Sequence, residues 1–195
     1  MNPNHPKKGS IITVEPISEE GVANIKRLLA NRHRDLLLFT LGINNGLRIG
    51  DLLRLKVKDL KDLKAGQTLK VREAKTGKVN QLMLNTTSYK LFKEYLKALA
   101  PNDNDYLFRS NKGANAPISV PYASTLIKGW CREVGLQGNY GSHSLRKTFG
   151  CIQRKRYGVS WELLSSRFNH ASLATTKRYL GITDEEVNGI LLNEI

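Results

Sequence analysis

The stretch Leu36–Ile43 (LLLFTLGI) constrains this chain most. It is apolar on nearly every side, so as a helix it belongs at the centre of a core, and it is far too short to cross a bilayer. Asn44, Asn45 and Gly46 break it. The remaining elements must then be laid around this helix.

Those elements read as mostly helical. Ser18 followed by Glu19 and Glu20 fits an N-cap with acids in the first turn, and Val22, Ile25, Leu28 and Leu29 recur at helical spacing. A third helix is expected from Leu47, with Ile49, Leu52, Leu53 and Leu55 turned inward. Residues 68–73 and 78–84 read as strands flanking Lys75-Thr76-Gly77, a hairpin. Leu91, Phe92, Tyr95 and Leu99 mark a helix closed by Pro101. A short extended piece over 105–109 leads into a Gly/Asn/Pro-rich loop, 111–117. Residues 120–134 are helical, with Leu126, Ile127 and Trp130 as core. The last third gives four short helices, near 144–156, 160–168, 172–179 and 184–193. Thr183 and Glu186 fit a capping box opening the last of them. The fold class is therefore mainly α with a small antiparallel β-sheet. Three parts are expected: a flexible arm over 1–17, one domain over 18–183, and a C-terminal helix or tail over 184–195.

Charge bears on partners. Lys and Arg number 31 against 17 Asp and Glu, giving a formal net charge of +14 and a pI near 9.9. Such a balance points to a polyanion, with nucleic acid ahead of an anionic membrane surface. No basic helix carries the broad apolar face that lying on a membrane requires. Residues 1–10 are polar and do not read as a signal peptide. Cys131 and Cys151 lack metal-ligand spacing and read as buried free thiols in a reducing cytoplasm.

Five places hold residues suited to handling a phosphodiester. Arg48 follows a Gly turn at a helix start among core leucines, where a guanidinium can pair bidentately with phosphate oxygens. Asp51, three residues on, can buttress that Arg or a nearby His. A solvated surface pair explains the same two residues equally well. Lys75 at the hairpin tip can place an ammonium beside a leaving oxygen; it also reads as an ordinary turn lysine, and Lys78 competes with it. His143 and Arg146 are three apart and share a face if a helix starts there, pairing a proton acceptor with a second cation. His170 and Tyr179 complete the set. Cations beside Tyr179, at Lys177 and Arg178, would favour its phenolate.

The segments GLRIGDLLRL, KTGK, HSLR and NHASLATTKRY together resemble the motif set of the tyrosine recombinases, the phage integrase family. The resemblance covers roughly residues 18–183. It implies the DNA breaking-rejoining catalytic-domain fold, with Arg48, Lys75, His143, Arg146, His170 and Tyr179 as catalytic residues and Asp51 orienting them. The activity implied is site-specific recombination of DNA. Tyr179 attacks the scissile phosphorus and leaves a 3′-phosphotyrosine, Arg48 and Arg146 hold the non-bridging oxygens, and Lys75 protonates the departing 5′-oxygen. His143 accepts the tyrosine proton, and His170 hydrogen-bonds the phosphate. No cofactor or metal is implied. The expected partners are double-stranded DNA and, on paired sites, a homo-tetramer of a chain that is monomeric when free and cytoplasmic. A type IB topoisomerase and a non-catalytic DNA-binding protein on the same fold are the alternatives. The H-x-x-R box and the His170–Tyr179 spacing favour the recombinase over the first, and the complete residue set favours it over the second.

Two features depart from the family pattern. Asn169 stands where a Gly usually precedes the second His. Most members also carry an N-terminal helical clamp domain, for which this chain has no room, so it reads either as the catalytic domain of a longer protein or as a short member of the family. The apolar stripe Val187, Ile190, Leu191 and Ile195 could dock on its own core or on a neighbouring subunit.

Overall fold

The computed structural model describes residues 13–112, 114–181 and 188–193. Helix α2 (His33–Asn45) is the centre, buried from Asp35 through Ile43, and packs chiefly on α5 (Thr86–Leu99) and α7 (Ser142–Tyr157). Phe39 meets Trp130 of α6 (Val120–Glu133) edge-on, with ring centroids 6.1 Å apart. Helix α1 (Glu19–Leu28) is capped by Ser18, whose hydroxyl accepts from Gly21 N, and lies on α6. Helix α2 closes on Gly46 at φ 57°, a left-handed value that only glycine adopts cheaply. This turn sets the direction of the chain leading to Arg48.

The third helix is shorter than the leucine pattern suggests. It runs as α3 (Ile49–Leu53), stops, and resumes as α4 (Val57–Lys61). Between them the backbone is extended and pairs with the 105–109 piece: Leu107 N donates to Leu55 O at 2.8 Å, and Lys56 bridges Tyr106. This outside pairing interrupts a run that reads as one helix locally.

The sheet is one antiparallel pair, β1 (Thr68–Arg72) and β2 (Val79–Met83), in register from Thr68↔Met83 to Arg72↔Val79. Asn45, at the end of α2, fixes it by accepting from Met83 N at 2.7 Å and donating to Met83 O at 3.2 Å.

Helix α7 starts at Ser142, two residues before the expected 144, because Ser144 Oγ accepts from Gly141 N and closes the first turn there. His143 therefore lies within the helix. Gly42 of α2 lets α7 approach closely: a methyl on it would sit 2.5 Å from Leu145 Cδ1. A small second core of Phe149, Leu164 and Phe168, joined by Val159, Tyr179 and Leu180, holds α8 (Trp161–Arg167) and α9 (Leu173–Leu180) to α7.

Three expectations need correction. The end of the expected arm is pinned: Glu15 N donates to Asn139 O at 2.8 Å, and Ile17, buried, donates to Thr148 Oγ1 at 2.8 Å. Cys151 is only half-buried, unlike the buried Cys131. In the tail, the Thr183–Glu186 box, Val187 and Ile195 lie outside the described residues. What is described there contains a 3₁₀ turn over Ile190–Leu192, with Leu191 and Leu192 exposed. Leu191, expected in a docking stripe, does not pack on its own core. Among the described residues no helix is long and apolar enough to cross a membrane.

Candidate active site

Arg48 occupies the N-cap position of α3 in extended backbone. Its side chain, one-fifth exposed, pairs with Glu73 of the hairpin. With Ile49, Lys75, Val120, His143 and Arg146 it lines a cleft of about 270 Å³. Five of the expected residues, Asp51 with Arg48, Lys75, His143 and Arg146, thus share one cleft, although they come from the start of α3, the β1–β2 turn and α7.

Arg146 is buried on α7 and held from three sides. One Nη donates to Gly46 O, the other donates to Phe168 O at 2.7 Å, and its guanidinium lies 4.4 Å from the Phe168 ring centroid. Burial, with repulsion from Arg48 and Arg167, lowers its pKa to about 10, so it stays charged at neutral pH. A guanidinium fixed in this way is pre-oriented toward an anion.

Tyr179 reaches the same place from α9. Its hydroxyl stands 3.5 Å from His143 Nδ1 and 3.4 Å from the His143 carbonyl. Its ring meets those of Phe168 and His170 edge-on, at 5.8 and 5.5 Å. Burial pushes the phenol up to about 12, against the opposing pull of Arg146 and Arg48. The cations that lower its pKa are therefore these two arginines, with Lys147 Nζ 5.5 Å from its ring centroid, and not its sequence neighbours Lys177 and Arg178, which are exposed. A phenol this weakly acidic keeps its proton at neutral pH and needs a base to attack.

His143, whose Nδ1 stands 3.5 Å from that hydroxyl, is the candidate. Burial lowers its pKa, and Arg146, Arg48, Lys75 and Lys147 lower it further, so the ring is neutral and can accept a proton. His170 is held neutral in the same way: burial, then Arg146 and Arg48, bring it to about 4. Its Nδ1 lies 2.9 Å from Thr176 Oγ1, which directs Nε2 to other partners. Of the two turn lysines, Lys75 lines the cleft, while Lys78 Nζ lies 3.4 Å from Asn169 O.

Asp51 does not pair with Arg48. Its Oδ1 accepts from Arg54 Nη2 at 3.0 Å and from Ala74 N at 2.9 Å, so it ties α3 to the hairpin. The acid beside Arg48 is Glu73, one the sequence reading did not single out. It is 1% exposed, and its pKa falls to about 2. Burial, the largest influence, raises that pKa, but hydrogen bonds from Thr76, Asn80, Asn169 and Arg48 outweigh it. One signal was present: Glu73 follows Leu69 and Val71 at every second position, so a charge falls on the inward face of a strand. Arg167 was also passed over. It donates to Asn45 O, Asn80 Oδ1 and Gln81 O, stitching α8 to the hairpin.

A model of the phage integrase family matches residues 14–186. A probable integrase/recombinase of Bacillus subtilis, YoeC, is 36% identical over 174 residues, 88% of this chain and 92% of that protein. The tyrosine recombinase XerA of Pyrococcus horikoshii is 30% identical over 190 residues, 95% of this chain but 62% of the relative. Among solved structures, a XerA recombinase superposes with a TM-score of 0.75 at 25% identity, over 91% of this chain and 64% of that one. A lambda integrase dimer bound to a core site gives 0.67 at 18% identity, over 95% and 52%, a likeness of fold.

Proposed function

Since this chain belongs to the phage integrase family, we propose that it is a site-specific tyrosine recombinase whose 18–183 region breaks and rejoins DNA through Tyr179. The observation carrying this reading is the cleft shared by Arg48, Lys75, His143 and Arg146, together with the Tyr179 hydroxyl 3.5 Å from the imidazole of His143. His170 stands against the Tyr179 ring.

Each residue has a distinct task. His143 takes the phenolic proton as Tyr179 Oη bonds to the scissile phosphorus. The bond from phosphorus to the 5′-oxygen breaks, and Lys75 supplies the proton that oxygen needs. Arg48 and Arg146 hold the two non-bridging oxygens, where charge accumulates in the transition state. His170, through Nε2, hydrogen-bonds one of them. Attack by a second 5′-hydroxyl reverses the sequence on a new strand, so bond energy is conserved in the phosphotyrosine and no nucleotide cofactor enters.

Double-stranded DNA is the substrate, and the charge of +14 supplies the attraction. A multimer on paired sites is supported by a structural relative, a lambda integrase tetramer on a Holliday junction. The exposed Leu191 and Leu192 suit a tail that docks on a neighbouring subunit. The test is a nicked suicide duplex carrying the site of the element that encodes the protein. A covalent protein–DNA adduct is expected with the parent chain and none with Tyr179→Phe. An adduct that persists in Tyr179→Phe overturns the assignment.

A further inference from the structure

Glu73 places its carboxylate among three polypeptide segments beside the cleft: the turn bearing Arg48, its own hairpin, and the turn before His170. Its Oε2 pairs with Arg48 and accepts from Thr76 Oγ1 at 2.6 Å. Its Oε1 accepts from Asn80 Nδ2 at 3.0 Å and from Asn169 Nδ2 at 3.2 Å. Arg48 is itself a cleft residue, Thr76 follows Lys75, and Asn169 precedes His170. The backbone of Glu73 also closes the turn: its N–H donates to Lys78 O, and its carbonyl accepts from Gly77 N, both at 2.9 Å.

Asn169 answers from the other side. It sits at φ 51°, where glycine is the usual choice and asparagine is tolerated. Its amide spends both hydrogens on the hairpin, on Glu73 Oε1 and on Val79 O at 3.3 Å, while its carbonyl receives Lys78 Nζ. A glycine would satisfy the backbone and make neither amide contact. Asparagine therefore adds two bonds between segments some ninety residues apart in sequence, beside those that Lys78, Asn80 and Arg167 make.

We infer that Glu73 is a positioning residue which, together with Asn169, locks the hairpin bearing Lys75 to the turn bearing His170 and sets Arg48 against both. Resting on the recombinase reading above, this gives Lys75 a fixed place relative to the phosphate before DNA arrives. Glu73 is buried and both its carboxylate oxygens have partners, so breaking one of these bonds leaves a buried charge short of partners.

The variants are Asn169→Gly, which keeps the turn and removes the amide, and Glu73→Gln, which keeps the shape and removes the charge. Two nicked suicide duplexes are cleaved in single turnover. One has an ordinary scissile phosphodiester; the other has sulfur as the bridging 5′ atom, a leaving group that needs no proton from Lys75. Asn169→Gly is expected to slow the ordinary substrate on the order of tenfold or more, as loss of alignment does. It should cleave the sulfur substrate at close to the parent rate, with DNA affinity unchanged. Glu73→Gln should be only partly rescued, because Arg48 loses its partner too. The losses in the double variant should be less than the two single losses added together, since the two residues share the Glu73–Asn169 bond. Equal losses on both substrates, or no loss in Asn169→Gly, overturn the inference.

Hydrogen exchange of the free protein supplies a readout independent of cleavage. Asn169→Gly should lose protection in residues 73–79 and 168–171 together. Protection unchanged there overturns the lock whatever the kinetics show. Failure of the parent chain to form a Tyr179 adduct, with the coupled exchange intact, would instead count against the recombinase reading.

Discussion

Replacing Gly46 with alanine strikes the point where the central helix, the second core and an arginine of the cleft meet. Gly46 ends α2 at φ 57°. A methyl built there lies 2.5 Å from Phe149 Cδ1 and 2.8 Å from Cγ. Two costs follow. A side chain in the left-handed region costs about 1–2 kcal/mol. Forcing a methyl against a packed ring costs about 1–3 kcal/mol more, because Phe149 is itself held edge-on to Phe168 at 6.0 Å. Gly158 provides the control. It has a similar φ of 62° with nothing within 4 Å of its would-be methyl, so Gly158→Ala meets the first cost alone. Urea unfolding of the two variants should therefore differ by roughly 1–3 kcal/mol, with Gly46→Ala the less stable. The Gly46 carbonyl accepts from Arg146, so displacement should also lower the cleavage rate beyond the loss of folded protein. Equal destabilisation of the two variants would refute the packing argument.

Acidification provides a second test. Both His143 and His170 have folded pKa values depressed below 6.5, His170 to about 4. The unfolded chain thus binds these protons first, and stability falls as pH drops from about 6.5 toward 4. Cleavage, needing neutral His143, should be flat around pH 7 and decline only below the usual histidine range; a limb centred above 6.5 in a single-turnover pH profile contradicts the site electrostatics. Arg146→Ala should cut cleavage by ~10²–10³ and also destabilise the protein, since Gly46 O and Phe168 O lose their buried donor; Arg48→Ala should cost a similar rate, measured on the same suicide duplex. Deleting residues 188–195 should leave urea stability of the monomer within about 0.5 kcal/mol, because Leu191 and Leu192 are exposed, while reducing pairing of two DNA sites in a mobility-shift assay; a large loss of monomer stability would place the tail on its own core.

Local physics was legible in the sequence. The central helix announced itself through six large apolar side chains in the eight residues 36–43, and its end through Asn44-Asn45-Gly46. Ser18, with its following acids, marked the start of α1, and alternation around Lys75-Thr76-Gly77 marked the hairpin. The cleft residues could be named because each sits in a short motif whose spacing survives in the linear chain. Tertiary structure decided what depends on partners distant in sequence. The third helix split because Leu55 and Lys56 pair with Tyr106 and Leu107, fifty residues away. Asp51 turned to Arg54 and Ala74 because the hairpin base lies within its reach, and Arg48 took Glu73 instead. Tyr179 became less acidic, not more, because its phenol is desolvated where its ring packs against Phe168, while the adjacent lysine and arginine are exposed. Asn169 looked like a flaw in a motif, and only the folded chain brings its amide to a carboxylate ninety-six residues away. Helix starts and turns follow from neighbours in sequence; hydrogen-bond partners, burial and pKa follow from neighbours in space.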